Sequence, residues 1–462
     1  MERLTPLATA FLAAEETDPQ ASLVIGSMAV FAGPAPRFED FRDMVAGRLP
    51  LIPRYRQKLS PAPLGLAAPA WIDDPDFSLG WHLRNTALPS PGGRAEIGRL
   101  IGRVMSRRMD RRRPLWEYWF VEGLAGERWA LLSKLHHCMV DGVSGTDLYR
   151  LILDRDGATS VSAETPWVPD PPPARLSAAT AAVTALAGSP INGIRAIGGA
   201  LRTPSRSVRR GLEVGRGLLT MSQALWPLQP TSLTGPLGGS LRYVWSTASL
   251  TEIRVVRQAL GGTVNDVALA AIAGGFRRLL LARGEDPGPH ALRSLVPVST
   301  RAPGTESELG NQVSLMLPYL PVEVADAGER LAAVRSRVHE RVVGGEPVAG
   351  AELTDLAELG LFPLVALGIR TGLRLPQHQI ATVTTNVPGP RETFSALGRE
   401  LQEILPYVPI ADQVRIGVAI FSYRDTLTFG ITADYDAAPD IQVLADGITL
   451  AMRELSELAA ST

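Results

Sequence analysis

Five prolines fall within the eight residues from Pro166 to Pro173, and this run divides the chain. Proline lacks the amide hydrogen that a helix interior or a central strand requires, so neither element crosses this stretch. Before it, strand-like and helix-like patterns alternate. Residues 22–31 (SLVIGSMAVF) read as a strand, and Ile97, Leu100, Ile101 and Val104 recur at helical spacing within 97–109. Residues 116–124 and 129–136 read as two strands joined by a turn at Ala125, Gly126 and Glu127. A helix with Leu148, Leu151 and Ile152 on one face follows. Beyond the prolines, regular structure resumes at Tyr243 and a long helix opens near Thr263. Strands are predicted at 293–298, 313–320, 379–385, 413–421 and 426–432, with a closing helix over 441–458. This pattern predicts an α/β fold with mixed sheets, arranged as two lobes. The lobes span residues 1–156 and 243–462, joined by a connection over 157–242 that is first proline-rich and then basic.

Charge narrows the function. Lys and Arg number 46 against 47 Asp and Glu, which argues against a dedicated nucleic-acid binder. Hydrophobic residues make up 45%, enough for sizeable cores, so wholesale disorder is excluded. The single cysteine, Cys138, cannot form an internal disulfide, which fits a reducing compartment and a cytoplasmic protein. Early charges at Glu2, Arg3, Glu15 and Glu16 do not suit a signal peptide. The most apolar candidate span, 359–369, is interrupted by Pro363 and closed by Arg370, so membrane contact is expected to be peripheral. Within 175–226, seven arginines stand against one acid, Glu213. That stretch reads equally as a lipid-surface contact on the inner membrane face or a lipid inclusion, or as a solvated crossover.

Chemistry concentrates in residues 136–142, HHCMVDG, where a strand ends and a helix begins. Neighbouring strand residues point to opposite faces, so one of His136 and His137 can face a cavity while the other faces the interior. A neutral histidine is suited to taking a proton from an attacking hydroxyl near pH 7. Asp141 can fix the loop through a cation, and Gly142 allows close backbone approach. A lone histidine is more often a hydrogen-bonded core residue, but two followed by Asp-Gly shift the balance toward function. Metal ligation is not expected, because adjacent histidines diverge and no third ligand stands at metal spacing. Nucleophile-elbow, Walker A, H-E-x-x-H and C-x-x-C motifs are missing, and Cys138 reads as core packing.

These seven residues resemble the HHxxxDG signature of the CoA-dependent acyltransferase superfamily, which includes chloramphenicol acetyltransferase, carnitine acyltransferases and peptide-synthetase condensation domains. An ordered set of further matches resembles the bacterial wax ester synthase/diacylglycerol acyltransferase family. They are Leu4-Thr5-Pro6-Leu7, Pro114-Leu115-Trp116, Ser232-Leu233-Thr234-Gly235-Pro236, Asn265-Asp266, Pro297 to Arg301, Gly310-Asn311 and Asn386-Val387-Pro388-Gly389-Pro390.

The resemblance implies two chloramphenicol-acetyltransferase-like lobes with the active site in a tunnel between them. It also implies transfer of an acyl group from acyl-CoA to diacylglycerol or a long-chain alcohol, giving triacylglycerol or wax ester. His137 would be the general base, Asp141 structural, and Arg301 its partner from the second lobe. Acyl-CoA enters as a co-substrate, and no permanently bound cofactor is expected. Thr263 and Asp266 also have a plain reading as a helix cap, Pro114 to Trp116 as packing, and 386–390 as a turn. Arg107, Arg108 and Arg111 to Arg113 are a candidate cluster for steering CoA phosphates. The rival readings are a condensation-type enzyme acting on an amine or unusual alcohol, and a non-catalytic lipid-associated protein.

Overall fold

The computed structural model describes residues 2–61, 68–139, 149, 151–155, 167–170, 228–299, 313–343 and 380–462. In chain order its strands are β1 (Val24–Phe31), β2 (Gln57–Ser60), β3 (Ala70–Asp73), β4 (Leu83–Ala87), β5 (Trp116–Leu124), β6 (Arg128–His136), β7 (Asp154–Arg155) and β8 (Leu241–Ser249). The remainder are β9 (Ser294–Ser299), β10 (Val313–Met316), β11 (Thr382–Val387), β12 (Phe394–Ala396), β13 (Arg399–Tyr407), β14 (Ile416–Tyr423) and β15 (Thr426–Asp434). The described helices are α1 (Pro6–Thr17), α2 (Phe38–Arg48), α3 (Leu79–His82), α4 (Arg94–Met105), α5 (Leu250–Leu260), α6 (Val264–Ala282), α7 (Ala327–Val343) and α8 (Gln442–Ser461).

One sheet has the order β4-β5-β6-β1-β13-β12-β7, the other β10-β9-β11-β14-β15-β8, and β2 pairs β3 in a small hairpin. The β5–β6 hairpin forms where the alternating pattern and the Gly126 turn predict it. Strand β10 is shorter than the predicted 313–320, because Pro318 has no amide hydrogen for a ladder bond. Elements that the periodicity did not reveal include α1, α2, α5, α7, β4 and β13. The last is the most consequential, since β13 pairs antiparallel with β1 and so returns the late part of the chain to the first sheet.

The two sheets are held together by close backbone approaches. Strand β13 crosses the second sheet where Gly430 presents no side chain, and a Cβ there would lie 1.9 Å from the Pro406 carbonyl oxygen. The Tyr243 hydroxyl donates to that same oxygen at 2.8 Å. On the other side of the first sheet, α4 lies against β8. Its Gly98 and Gly102 face the backbone of Tyr243 and Leu241, where a Cβ would sit 2.4 and 2.3 Å from their carbonyl oxygens. The predicted apolar face of α4 is buried there with Tyr243, Trp245 and Tyr407, and the Arg94 guanidinium lies 4.0 Å from the Trp245 ring. A second core packs α6 and α8 on the second sheet, and a third fills the outer side of the first sheet under α1 and α2. Among the described residues, no single helix is long and apolar enough to cross a membrane.

Candidate active site at the end of β6

Strand β6 ends at His136, paired opposite Val24 of β1, and His137 opens a short 3-10 turn through Met139. Main-chain bonds fix both residues: His136 N–H donates to Leu115 O at 2.9 Å, and His137 N–H donates to Leu23 O at 3.0 Å. Strand alternation does not apply across them, because the strand ends at His136, and both side chains meet α1, at Glu15 and at Phe11.

His136 is 1% exposed. Its Nδ1 accepts the Cys138 N–H at 3.1 Å, so the ring proton belongs on Nε2. Nε2 in turn lies 3.4 Å from Oε2 of Glu15, which is itself 2% exposed. Glu15 also accepts the Leu23 N–H at 2.6 Å and Nη2 of Arg111 at 3.0 Å. Burial pushes the Glu15 carboxyl up, but His136, the Leu23 amide and Arg111 together bring it down to about 2, so it is an anion at neutral pH. One carboxylate therefore orients His136 directly and His137 through the Leu23 peptide.

His137 is half-buried, and its imidazole stacks on Phe11 with centroids 3.9 Å apart and planes at 29°. Burial lowers its pKa to about 4; a bond from the ring to its own main chain opposes that shift, and nearby His136 adds to it. The ring is neutral at pH 7 and keeps a lone pair for a proton. Cys138 is buried, and burial raises its thiol to about 12, which makes it a packing residue without nucleophilic character.

Sequence reasoning did not single out Glu15. The available signal was Phe11-x-x-x-Glu15 on a helix announced by Thr5-Pro6. The Thr5 hydroxyl accepts the Ala8 N–H at 3.2 Å and proline fills the first turn, so residues 11 and 15 stand one helical turn apart.

The other predicted site residues take different places in the structure. Leu115 and Trp116 are buried packing, as their chemistry suggests. Trp116 Nε1 donates to Tyr55 O at 2.8 Å, and its indole stacks between Tyr55 and His82 at 4.4 and 4.5 Å. Pro114 precedes this core at the start of the strand. Asn265 and Asn386 come together across 121 residues, with Asn386 Nδ2 donating to Asn265 Oδ1 at 2.9 Å. Asp266 caps α6 reciprocally with Thr263, accepting from Thr263 N at 2.8 Å and donating its own amide to Thr263 Oγ1 at 3.2 Å. Gly389 follows Pro388 in a turn that admits no side chain: a Cβ would lie 1.7 Å from Ser422 O, whose hydroxyl accepts the Gly389 N–H at 2.9 Å. Asp141, Gly142, Arg301, Gly310, Asn311 and the arginine-rich 175–226 lie outside the described residues.

The arginines before β5 are engaged within the protein. Arg108 binds the carbonyls of Glu15, Asp18 and Ala21, Arg111 binds Glu15 and Glu16, Arg112 pairs Asp110, and Arg113 lies over Trp81. Arg108 and Arg111 thus pin α1 and the residues after it, while Arg112 stays largely exposed beside Asp110. Among the described residues, no three His, Cys, Asp or Glu side chains gather as a metal site.

Residues 4–268 match the model of the wax ester synthase/diacylglycerol acyltransferase catalytic domain, and 309–456 match the C-terminal domain of the same family. The chain belongs to the wax ester synthase/diacylglycerol acyltransferase family. It is 40% identical over 456 residues to a Mycobacterium tuberculosis protein named "Probable diacyglycerol O-acyltransferase tgs1", covering 98% of this chain and 96% of that one. The solved wax ester synthase/diacylglycerol acyltransferase from Marinobacter aquaeolei VT8 is 25% identical, with a TM-score of 0.67 over 99% of this chain and 100% of that chain. The first condensation domain of the calcium-dependent antibiotic synthetase shares the fold at 17% identity, with a TM-score of 0.59 over 99% and 97% of the two chains. The protein is an acyltransferase of this family, with the mixed α/β fold that the family shares with condensation domains, and it uses an acyl donor and an acceptor.

Proposed function

We propose that the protein transfers a long-chain acyl group from acyl-CoA to the hydroxyl of diacylglycerol or a long-chain alcohol, yielding triacylglycerol or wax ester. The observation that carries the mechanism is His137, a neutral imidazole held on Phe11 with its main chain tied to β1. Either ring nitrogen of a neutral imidazole can carry the lone pair, and Nε2, the one farther from the main chain, is the proposed base. Nε2 takes the acceptor hydroxyl proton as the oxygen attacks the thioester carbonyl. The tetrahedral intermediate then collapses, the C–S bond breaks, and the leaving CoA sulfur receives the proton from His137. No acyl-enzyme forms, so donor and acceptor are bound together in a tunnel between the lobes. General-base help is worth on the order of 10² to 10⁴ in rate, and positioning supplies the rest.

Asp141 and Gly142 shape the loop after His137, with Arg301 as the partner of Asp141. Acyl-CoA is a co-substrate, and no cofactor is held between turnovers. Because both products are water-insoluble, the enzyme works at a membrane or lipid-inclusion surface on the cytoplasmic side, in lipid and glycerol metabolism. The test is CoA release from palmitoyl-CoA with dipalmitoylglycerol or hexadecanol as acceptor, beside His137→Ala. Acceptor-dependent release lost in the variant is expected. Release that persists in His137→Ala overturns the mechanism, and none from folded wild-type protein with either acceptor overturns the function.

A further inference from the structure

Helix α1 carries two unlike stripes. Leu4 before it, then Ala8, Leu12 and Glu15, are buried against the first lobe. Leu7, Ala10, Phe11 and Ala14 recur at i, i+3, i+4 and i+7, a second apolar stripe on a face where a surface helix is ordinarily polar. Leu7 is 49% exposed, and one turn further along the same face Phe11 stacks on the His137 ring. The stripe therefore runs from solvent to the proposed base.

We propose that this stripe is the binding track for the alkyl chain of the acceptor. Its continuity with His137 argues that the occupant is a substrate, and the charge beside it says which one. Beside α1, Arg3, Arg54, Arg108 and Arg111 meet acceptors of the protein itself, among them the carboxylates of Glu2, Glu15 and Glu16. The guanidiniums are committed: Arg3 to Ala68 O at 3.2 Å, Arg54 to Glu2 at 2.6 Å, Arg108 to three carbonyls, and Arg111 to Glu15 and Glu16. Guanidiniums held this way by internal partners offer little to the multiply charged phosphates of CoA. It suits an uncharged diacylglycerol or alkanol, whose chain gains by covering Leu7, Ala10 and Phe11. The inference rests on the acyl-transfer reading above and adds the acceptor's place in it.

The test compares wild type, Leu7→Ser, and Leu281→Ser as a matched control at a 51%-exposed leucine in the other lobe. Two measurements are made: kcat/KM for hexadecanol relative to butanol with palmitoyl-CoA, and equilibrium binding of radiolabelled hexadecanol without donor. Butanol is too short to reach Leu7 from His137. Leu7→Ser is expected to weaken hexadecanol binding roughly three- to tenfold and to lower the hexadecanol-to-butanol ratio equally, with the KM for palmitoyl-CoA unmoved. Leu281→Ser should match wild type. Unchanged hexadecanol affinity in Leu7→Ser overturns the proposal, as does a change confined to the KM of palmitoyl-CoA. Weaker binding to phosphatidylglycerol vesicles with unchanged alkanol affinity also overturns it, in favour of bilayer contact, and a shift from dimer to monomer does so in favour of a second copy. Because binding is read without turnover, an inactive wild type defeats the function while leaving this inference to stand or fall on its own result.

Discussion

Phe11 covers one face of the His137 imidazole, ring on ring at 3.9 Å. The attraction of an aromatic face for a cation is small beside the cost of burying the charge, so the covered imidazole stays uncharged and free to accept a proton. Four residues on, Glu15 grips the neighbouring His136. A single helix thus attends to both histidines, one by desolvation and the other by charge.

The first consequence is a pH profile. With His137 titrating near 4, kcat/KM is expected to hold level from neutrality to about pH 5 and to fall as the base is protonated through about 4. Phe11→Ala admits water to the ring, so its acid limb moves upward toward the ordinary histidine value of 6.5. Initial rates from pH 4 to 8, on protein shown to remain folded, decide this. An identical limb in both proteins refutes the role given to Phe11.

Stability follows a related pattern at His82. Burial lowers this ring to about 4, although a 2.8 Å contact with Trp116 O opposes the shift. The unfolded chain takes up the proton first as pH falls, so the contribution is complete above 6.5 and is lost between 6.5 and 4. The loss approaches 3 kcal/mol, at about 1.4 kcal/mol per unit. His82→Phe keeps the stack on Trp116 and is expected to flatten denaturant midpoints across that window. Equal slopes in both proteins contradict the assignment.

Glu15 allows a graded pair of substitutions. Glu15→Gln retains an acceptor for the Leu23 N–H but removes the charge facing His136 and Arg111. It is expected to fold, with kcat reduced roughly ten- to a hundredfold through misplacement of the histidines and KM little changed. Glu15→Ala leaves the Leu23 amide without its acceptor, while Arg111 keeps Glu16 and the Leu12 carbonyl, and is expected to cost about 1–3 kcal/mol as well. Full activity in Glu15→Gln removes Glu15 from the site.

The contrast between Glu15 and His137 shows what the sequence made legible. The β5–β6 hairpin declares itself through alternation and a glycine turn, and the α6 start through Thr263-x-x-Asp266, because both are local signals. Glu15 stands among alanines near the chain start, and its importance arises only when α1 packs over the end of β6. Strand β13 was hidden for a related reason. Its run Arg399 to Tyr407 mixes charges with Pro406, and beyond a short hairpin with β12 its length is paired with β1, some 370 residues away in sequence. Locally encoded elements and motif residues were readable, whereas contacts created by docking one element on another were not.

The lobe junction depends on glycine in α4. Gly98→Ala or Gly102→Ala places a methyl group against a β8 carbonyl at 2.4 or 2.3 Å, where backbone must move. In an exposed helix the same change stabilises by up to about 1 kcal/mol, so the sign of the effect identifies the packing. Here each substitution is expected to destabilise by about 1–3 kcal/mol. A raised melting temperature in either variant refutes the close approach of α4 and β8.

The Asn265–Asn386 bond joins the first turn of α6 to the end of β11, next to the turn that Gly389 permits. If the two amides act as one unit, removing either loses what removing both would lose. Asn265→Ala and Asn386→Ala are each expected to cost about 1 kcal/mol of stability, since each strands the amide of the other. The double variant should fall short of the sum by about 0.5–1 kcal/mol, the range for directly bonded partners. Applied to kcat, the same cycle separates scaffold from site. Each single variant is expected to slow turnover about tenfold, with little further loss in the double, because the pair fixes one geometry rather than two. Strictly additive effects on both quantities mean that the two asparagines work independently, and their meeting across the second lobe then has no bearing on catalysis.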